Sequence, residues 1–196
     1  MRIKGEFDAS IDVARTIVRA HPFATIVGRD LRATHMPCLL DEAGELAVVG
    51  HVARADPVAG VLDGPLLLIF HGPHGYVSAS WYESETIPTW NHVTLHMRGK
   101  PELLGDAMPV LRRTVDHFEA VVERPWSLDR MGSTAREMAE QVVAFRLVAD
   151  SWHAEAKLSQ DKPERERARL LAGLEASGPY ANAPLGAAMR ALGGGG

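Results

Sequence analysis

Trp90-Asn91-His92-Val93-Thr94-Leu95-His96-Met97-Arg98-Gly99 is the stretch on which the fold turns. Successive strand residues point to opposite faces, so Val93, Leu95 and Met97 share one side and His92, Thr94, His96 and Arg98 the other. A strand with one dry and one wet face belongs to a barrel or a half-open sheet. Upstream, Phe23–Gly28, Thr34–Leu40, Glu45–His51, Leu66–Phe70 and His74–Ala79 read as further short strands, with Pro37 marking an edge or bulge and Gly44 a turn. Downstream, Val142–Trp152 is again β-branched and aromatic, which brings the expected strands to seven.

Helices flank this β region. Ile11, Ala14, Ile17 and Val18 form a helical stripe that Ser10 can cap, and Pro22 disfavours helix at His21. Asp56-Pro57 is a helix start, an N-cap side chain followed by a proline preset for the first turn. Met108, Leu111, Val115, Phe118 and Val122 repeat at three and four residues until Pro125-Trp126. Pro163 through Glu175 reads as a helix with Asp161 as its cap, and Leu185–Leu192 as a short one ahead of four glycines. The expectation is an α+β single domain over residues 1–176, built on a β-barrel, with residues 177–196 as a short helix and flexible Gly-rich tail.

Composition narrows the function. The 196 residues are 46 % hydrophobic and 23 % charged, ordinary globular usage that excludes disorder along most of the chain. A net charge of −4 supplies no global cationic field for nucleic acid. One cysteine, Cys38, excludes an internal disulfide or a multi-cysteine metal site and reads as a small buried hydrophobe. The first twenty residues mix charges with apolar side chains, unlike a secretory signal, and the longest apolar run, Leu66 to Phe70, is far too short to cross a bilayer. A cytoplasmic protein with no membrane partner is expected. Dinucleotide, P-loop, metalloprotease-helix and nucleophile-elbow motifs are all missing.

Polar and aromatic clusters at strand ends remain. Arg54 precedes the Asp56-Pro57 helix start, where free N–H groups and the guanidinium fork suit a phosphate; pairing of Arg54 with Asp56 or another surface carboxylate is the alternative. Ser78 and Ser80, on one strand face with Tyr76 and followed by Trp81-Tyr82, offer hydroxyls beside an aromatic plane. Trp90 and Asn91 open the long strand, and the Asn91 amide can donate and accept as a flavin or nucleobase edge requires. Lys157 and Ser159 fall on one face if the last strand continues through them, with Gln160 next in line. No Asp or Glu lies between Leu66 and Tyr82 or beside His92 and His96 within their strand, so no metal site is expected; the strand-end histidines fit a polar groove, or an axial ligand to haem.

Seven stretches in order, Pro22-Phe23-Ala24-Thr25, Thr34-His35-Met36-Pro37, Gly50-His51-Val52-Ala53-Arg54-Ala55, Phe70-His71-Gly72-Pro73-His74, Ser80-Trp81-Tyr82, Pro88-Thr89-Trp90-Asn91 and Lys157-Leu158-Ser159-Gln160, resemble the PaiB-type negative transcriptional regulators. That family is a branch of the FMN-binding split-barrel superfamily related to pyridoxamine-phosphate oxidases. The resemblance implies a six-stranded split β-barrel with flanking helices, a homodimer with FMN at the interface, and a regulatory role. It implies cofactor contacts from Arg54, Ser78, Ser80, Trp81, Trp90, Asn91, Lys157, Ser159 and Gln160. The family usually has Asn where Asp56 and Asp161 stand, so both substitutions bring negative charge towards an anionic ligand. With no basic recognition helix in view, direct DNA binding is unsupported, and ligand sensing or indirect regulation is the expected role. The alternatives are a flavin-dependent oxidoreductase, a haem-handling split barrel, and a structural domain without any cofactor.

Overall fold

The computed structural model describes residues 7–42 and 45–192, so the turn expected at Gly44 and the terminal glycines lie outside the described residues. The chain opens with α1 (Ile11–Ala20), then β1 (Phe23–Val27), β2 (Ala33–Asp41) and β3 (Ala47–Ala53). Next come β4 (Leu66–Val77), β5 (Thr89–Gly99), β6 (Glu102–Leu104), α2 (Met108–Glu119) and α3 (Ser133–Ala139). It closes with β7 (Val142–Val148), β8 (Ser151–Lys157), α4 (Glu164–Glu175) and α5 (Ala183–Leu192). The sheet order is β6-β7-β3-β2-β1-β4-β5-β8.

The architecture is α+β as expected, but the strands number eight, not six or seven. Leu66–Phe70 and His74–Ala79 merge into the single strand β4. Gly72 eases this, because a Cβ there would lie 3.0 Å from the Val93 Cβ, a tight contact that Val93 would have to yield to. The expected strand Val142–Trp152 instead divides in two. At the break the Ala149 N–H donates to the Leu46 carbonyl (2.9 Å) and the Asp150 N–H to the Arg98 carbonyl (2.8 Å), which turns the chain out of β7. The eighth strand, β6, pairs Glu102 with Arg146 and Leu104 with Ala144; three residues are too few to show a period in sequence. Two helix readings also change. Pro163, not Asp161, precedes α4, and Asp161 pairs with Lys162 at 2.8 Å. Helix α3 was not anticipated, its seven residues being too short for a clear stripe.

The chain forms two compact units. Val18–Phe70 and His96–Trp152 make one, the rest the other. In the first, β1 pairs antiparallel with β2 and with β4 (Ala24 opposite Phe70), and β3 with β2 and β7. Ile26, Cys38, Val48, Leu68, Phe70, Phe145 and Leu147 are buried, and Leu39, Val49 and Ala144 pack with Ala107 and Val110 of the α2 region and Ala139 of α3. A Cβ on Gly50 would meet the Cys38 Sγ at 2.9 Å and the Phe145 Cζ at 3.1 Å, so β2, β3 and β7 approach closely only because residue 50 has no side chain. The second unit buries Val77, Tyr82, Val93, Leu158, Leu170, Leu174, Leu185 and Met189. Trp81 lies flat against Gly173 of α4, where a Cβ would fall 2.5 Å from its Cδ2.

Two buried titratable groups of the first unit give measurable consequences. Burial pushes the Cys38 thiol up to about 12, so native protein at mild alkaline pH is expected to react with a thiol-specific disulfide reagent only at the rate at which it unfolds; fast labelling of folded chain contradicts this. Burial also lowers the His51 imidazole below its ordinary 6.5. The unfolded chain therefore binds the extra proton first, and the stability that neutral His51 contributes is present above that value and lost as pH falls through and below it. Chemical denaturation of wild type and His51→Gln across this range is expected to show a shallower acid-side decline in the variant.

Candidate functional site

Arg54 follows the last residue of β3. Its backbone N–H donates to the Gln141 carbonyl (2.8 Å) and its Nε to the Glu140 carbonyl (2.5 Å). Those two bonds fix the stem and leave the terminal nitrogens without a partner among the described residues. The side chain borders a cleft of about 380 Å³ shared with Arg136, Asp106, Glu140, Leu104 and Val142. The alternative pairing of Arg54 with Asp56 is absent. Asp56 instead caps the short 3-10 turn Pro57–Val61 by accepting from the Val58 N–H (2.8 Å), and it accepts from the Thr34 hydroxyl at 2.6 Å. The extra charge at this position is thus committed locally, as is that of Asp161 in its pair with Lys162.

His51 lies three residues before Arg54, opposite Ala144 in the β3–β7 register. Its Nδ1 is the one buried side-chain nitrogen or oxygen among the described residues that has no hydrogen-bond partner. Such an atom is costly to leave unmet, which sets His51 apart from the other histidines. Sequence reasoning placed His51 among the strand-end histidines without singling it out; its position inside the Gly50–Ala55 motif was the available signal.

The other eight sequence-derived residues fall in the second unit, in two groups. Ser78 and Ser80 were expected on a strand face, but β4 ends at Val77 and they enter a 3-10 turn, Ala79–Trp81. The Ser78 Oγ accepts from the Ser80 N–H at 3.3 Å and lies 2.7 Å from the Ser80 Oγ, so this pair caps the turn. Arg169 of α4 donates to the Trp81 carbonyl (3.0 Å), and Arg165 and Arg169 both reach Glu83. Two of the three arginines of α4, Arg165 and Arg169, are therefore engaged at the turn and at Glu83 just beyond it.

The second group is Trp90, Asn91, Lys157, Ser159 and Gln160. The last strand does not continue to Ser159. β8 ends at Lys157, and Ser159 adopts φ 59°, left-handed backbone that a serine rarely takes. Asn91 and Ser159 are 0 % and 4 % exposed; the Asn91 Nδ2 donates to the Ser159 Oγ (3.0 Å), which donates back to Oδ1 (3.1 Å). Gln160 folds over the corner, its Oε1 accepting from the Leu158 N–H (2.7 Å) and its Nε2 donating to the Ala156 carbonyl (2.6 Å). Lys157 donates to the Thr89 hydroxyl at 2.8 Å. The Trp90 indole projects outward, 57 % exposed, edge-on to Tyr76. This group comes together through the β5 start and the β8 end.

The histidines do not form a metal centre: among the described residues, no group of three His, Cys, Asp or Glu side chains has that arrangement. His92 and His153 instead flank Glu155 at 3.6 and 3.8 Å.

Comparison with known proteins agrees with the motif reading. Residues 1–151 match the family described as "Putative FMN-binding domain". The chain is 28 % identical over 168 residues to protease synthase and sporulation protein PAI 2 of Bacillus subtilis, covering 81 % of each. Among solved structures, the flavocytochrome Anf3 of Azotobacter vinelandii superposes with a TM-score of 0.61 at 17 % identity, over 86 % of this chain and 78 % of that one. The FAD and heme binding protein of Mycobacterium smegmatis gives 0.55 at 18 % identity, over 83 % and 80 %. At those identities the two structures share the fold. With three-quarters of its length matched by that family, the chain belongs to the putative FMN-binding domain family, and it is similar in sequence to the Bacillus protein.

Proposed function

We propose that this chain binds FMN and acts by sensing a ligand or through an indirect regulatory role, as a homodimer with the cofactor at the interface. The observation that carries this reading is the matched family together with Arg54, which keeps its terminal nitrogens free at a cleft that also holds Arg136, Asp106 and Glu140. An arginine fork there suits a phosphate, binding two oxygens at once. The residues fit a phosphorylated flavin in one further respect: the buried, unpartnered Nδ1 of His51 offers a hydrogen bond three residues from Arg54. A bound flavin would supply the redox or light-absorbing ring, while the chain supplies position and charge.

The proposed dimer has support in Phe23, which stands 62 % exposed on β1, stacked against His35. A large apolar ring left in water at a sheet face suits contact with a second copy. Direct DNA binding is not part of the reading, because α4, the most charged helix, spends Arg165 and Arg169 on Glu83. Among the described residues no helix is long and apolar enough to cross a membrane.

A second reading, a haem-handling or flavin-dependent redox protein, draws on the two solved structures of like fold, a flavocytochrome and an FAD and heme binding protein. The visible spectrum separates the two, since a Soret band would point to haem. For the main reading, Arg54→Ala is expected to weaken FMN by about 1.5–3 kcal/mol, the scale of a charge-assisted hydrogen bond, in a flavin-fluorescence titration. Unchanged affinity removes Arg54 from the site.

A further inference from the structure

A cleft of about 590 Å³ in the first unit opens between the end of α1, the end of β2 and α2. Its floor is apolar, made by the buried side chains of Val18, Leu39 and Leu40. Its rim is charged: Arg19, Glu42, Arg112, Arg113 and Asp116 border it, and so does His117, whose ring stands edge-on to Phe118. None of the nine residues given above to the flavin lies on it, and it shares no lining residue with the Arg54 cleft.

Most of the rim charge is already spent. Arg19 donates to both oxygens of Glu42, at 2.9 and 2.7 Å, which closes that pair. Arg112 reaches Asp129 at 2.7 Å. Asp41, just beside the cleft, is held by Arg146 at 2.6 Å and lies 4.0 Å from Arg113. Two groups are left with capacity to spare. Arg113 donates one terminal nitrogen to the neutral Leu40 carbonyl and makes no closer ion pair. The Asp116 carboxylate feels the Arg112 charge but makes no hydrogen bond or ion pair among the described residues. Three residues apart on one helix face, Arg113 and Asp116 would ordinarily pair with each other. The Leu40 carbonyl holds Arg113 away, so the cation and the anion stay separate above the apolar floor.

We propose that this cleft binds a free amino acid with an aliphatic side chain, its carboxylate on Arg113, its ammonium on Asp116 and its hydrocarbon on the Val18, Leu39 and Leu40 floor. A ligand with a carboxylate alone gains Arg113 but meets the like charge of Asp116, and an amine alone meets the reverse. Only a zwitterion gains at both, so the lining selects by repulsion as well as by attraction. The volume lies in the range of small-ligand clefts and leaves room for water about the head group. The proposal does not rest on the flavin reading.

The test titrates the full chain, with and without saturating FMN, with leucine and its two single-charge analogues, 4-methylpentanoate and 3-methylbutylamine. Calorimetry gives the affinity and backbone amide resonances give the place. The expected result is saturable leucine binding that shifts the amides of Val18, Leu39, Leu40 and α2, with glycine and each analogue weaker by about tenfold or more. Asp116→Asn is expected to bring 4-methylpentanoate level with leucine, and Arg113→Gln to do the same for 3-methylbutylamine, which a general loss of structure would not do. No saturation up to about 20 mM, equal binding of either analogue to the unaltered chain, amide shifts confined to other elements, or leucine selectivity retained in Asp116→Asn overturns the proposal. Should Arg113→Gln fail to fold, the exposed Asp116 and the two analogues still decide it. Displacement of leucine by FMN would place it in the flavin's own site and overturn a separate one. Leucine binding by a chain that takes up no FMN supports the cleft and defeats only the flavin reading.

Discussion

The Asn91–Ser159 pair is the contact on which the second unit depends. An amide and a hydroxyl taken out of water cost free energy unless each meets a partner, and here they close a ring with one another. The same contact holds Ser159 in left-handed backbone, a conformation that persists only where its surroundings over-determine it. The corner after β8 thereby stays tight against the start of β5, with the Met189 sulfur of α5 3.6 Å from the Asn91 Nδ2. Lys157 to Thr89 and the Gln160 bracket follow from that corner. Side chains that look like ligand donors in sequence thus also serve as the clamp that positions the outward-facing Trp90.

The first unit is organised around a different constraint, the close approach of β2, β3 and β7 at Gly50. That packing places Cys38 and Phe145 in a dry core and sets His51 and Arg54 at the end of β3, one with an unmet nitrogen and the other with unspent donors. Asp56, which in sequence looks hostile to an anion, is tied up as a cap and as the acceptor for Thr34. Charge read along the chain is a poor guide to field at a site, because short-range capping uses it first.

Much of this was legible in the sequence, for physical reasons that can be named. The alternation from Val93 to Met97 is realised in β5, with its apolar members buried and His92, Thr94 and His96 half-buried. The stripes of α1, α2 and α4, and the Asp56-Pro57 start, rest on local rules of spacing and capping that operate within one turn. What escaped was non-local. Strand β6 exists because β7 offers it an edge, and β4 runs through Gly72-Pro73 because Val93 lies close beside it. Tyr180 sits in a stretch read as tail, and nothing in Gly178-Pro179-Tyr180 announces that Tyr76 will meet it.

The motifs that identify the family are therefore of two kinds, those that clamp the scaffold and those left with free donors or exposed rings. Asn91 and Ser159 belong to the first kind. A double-mutant cycle of Asn91→Ala and Ser159→Ala, read by chemical denaturation, measures this most directly. The account expects a coupling energy of about 1–3 kcal/mol, the range for buried side chains that share a hydrogen bond. Strictly additive losses would mean that the two side chains do not hold the corner together, and would contradict it.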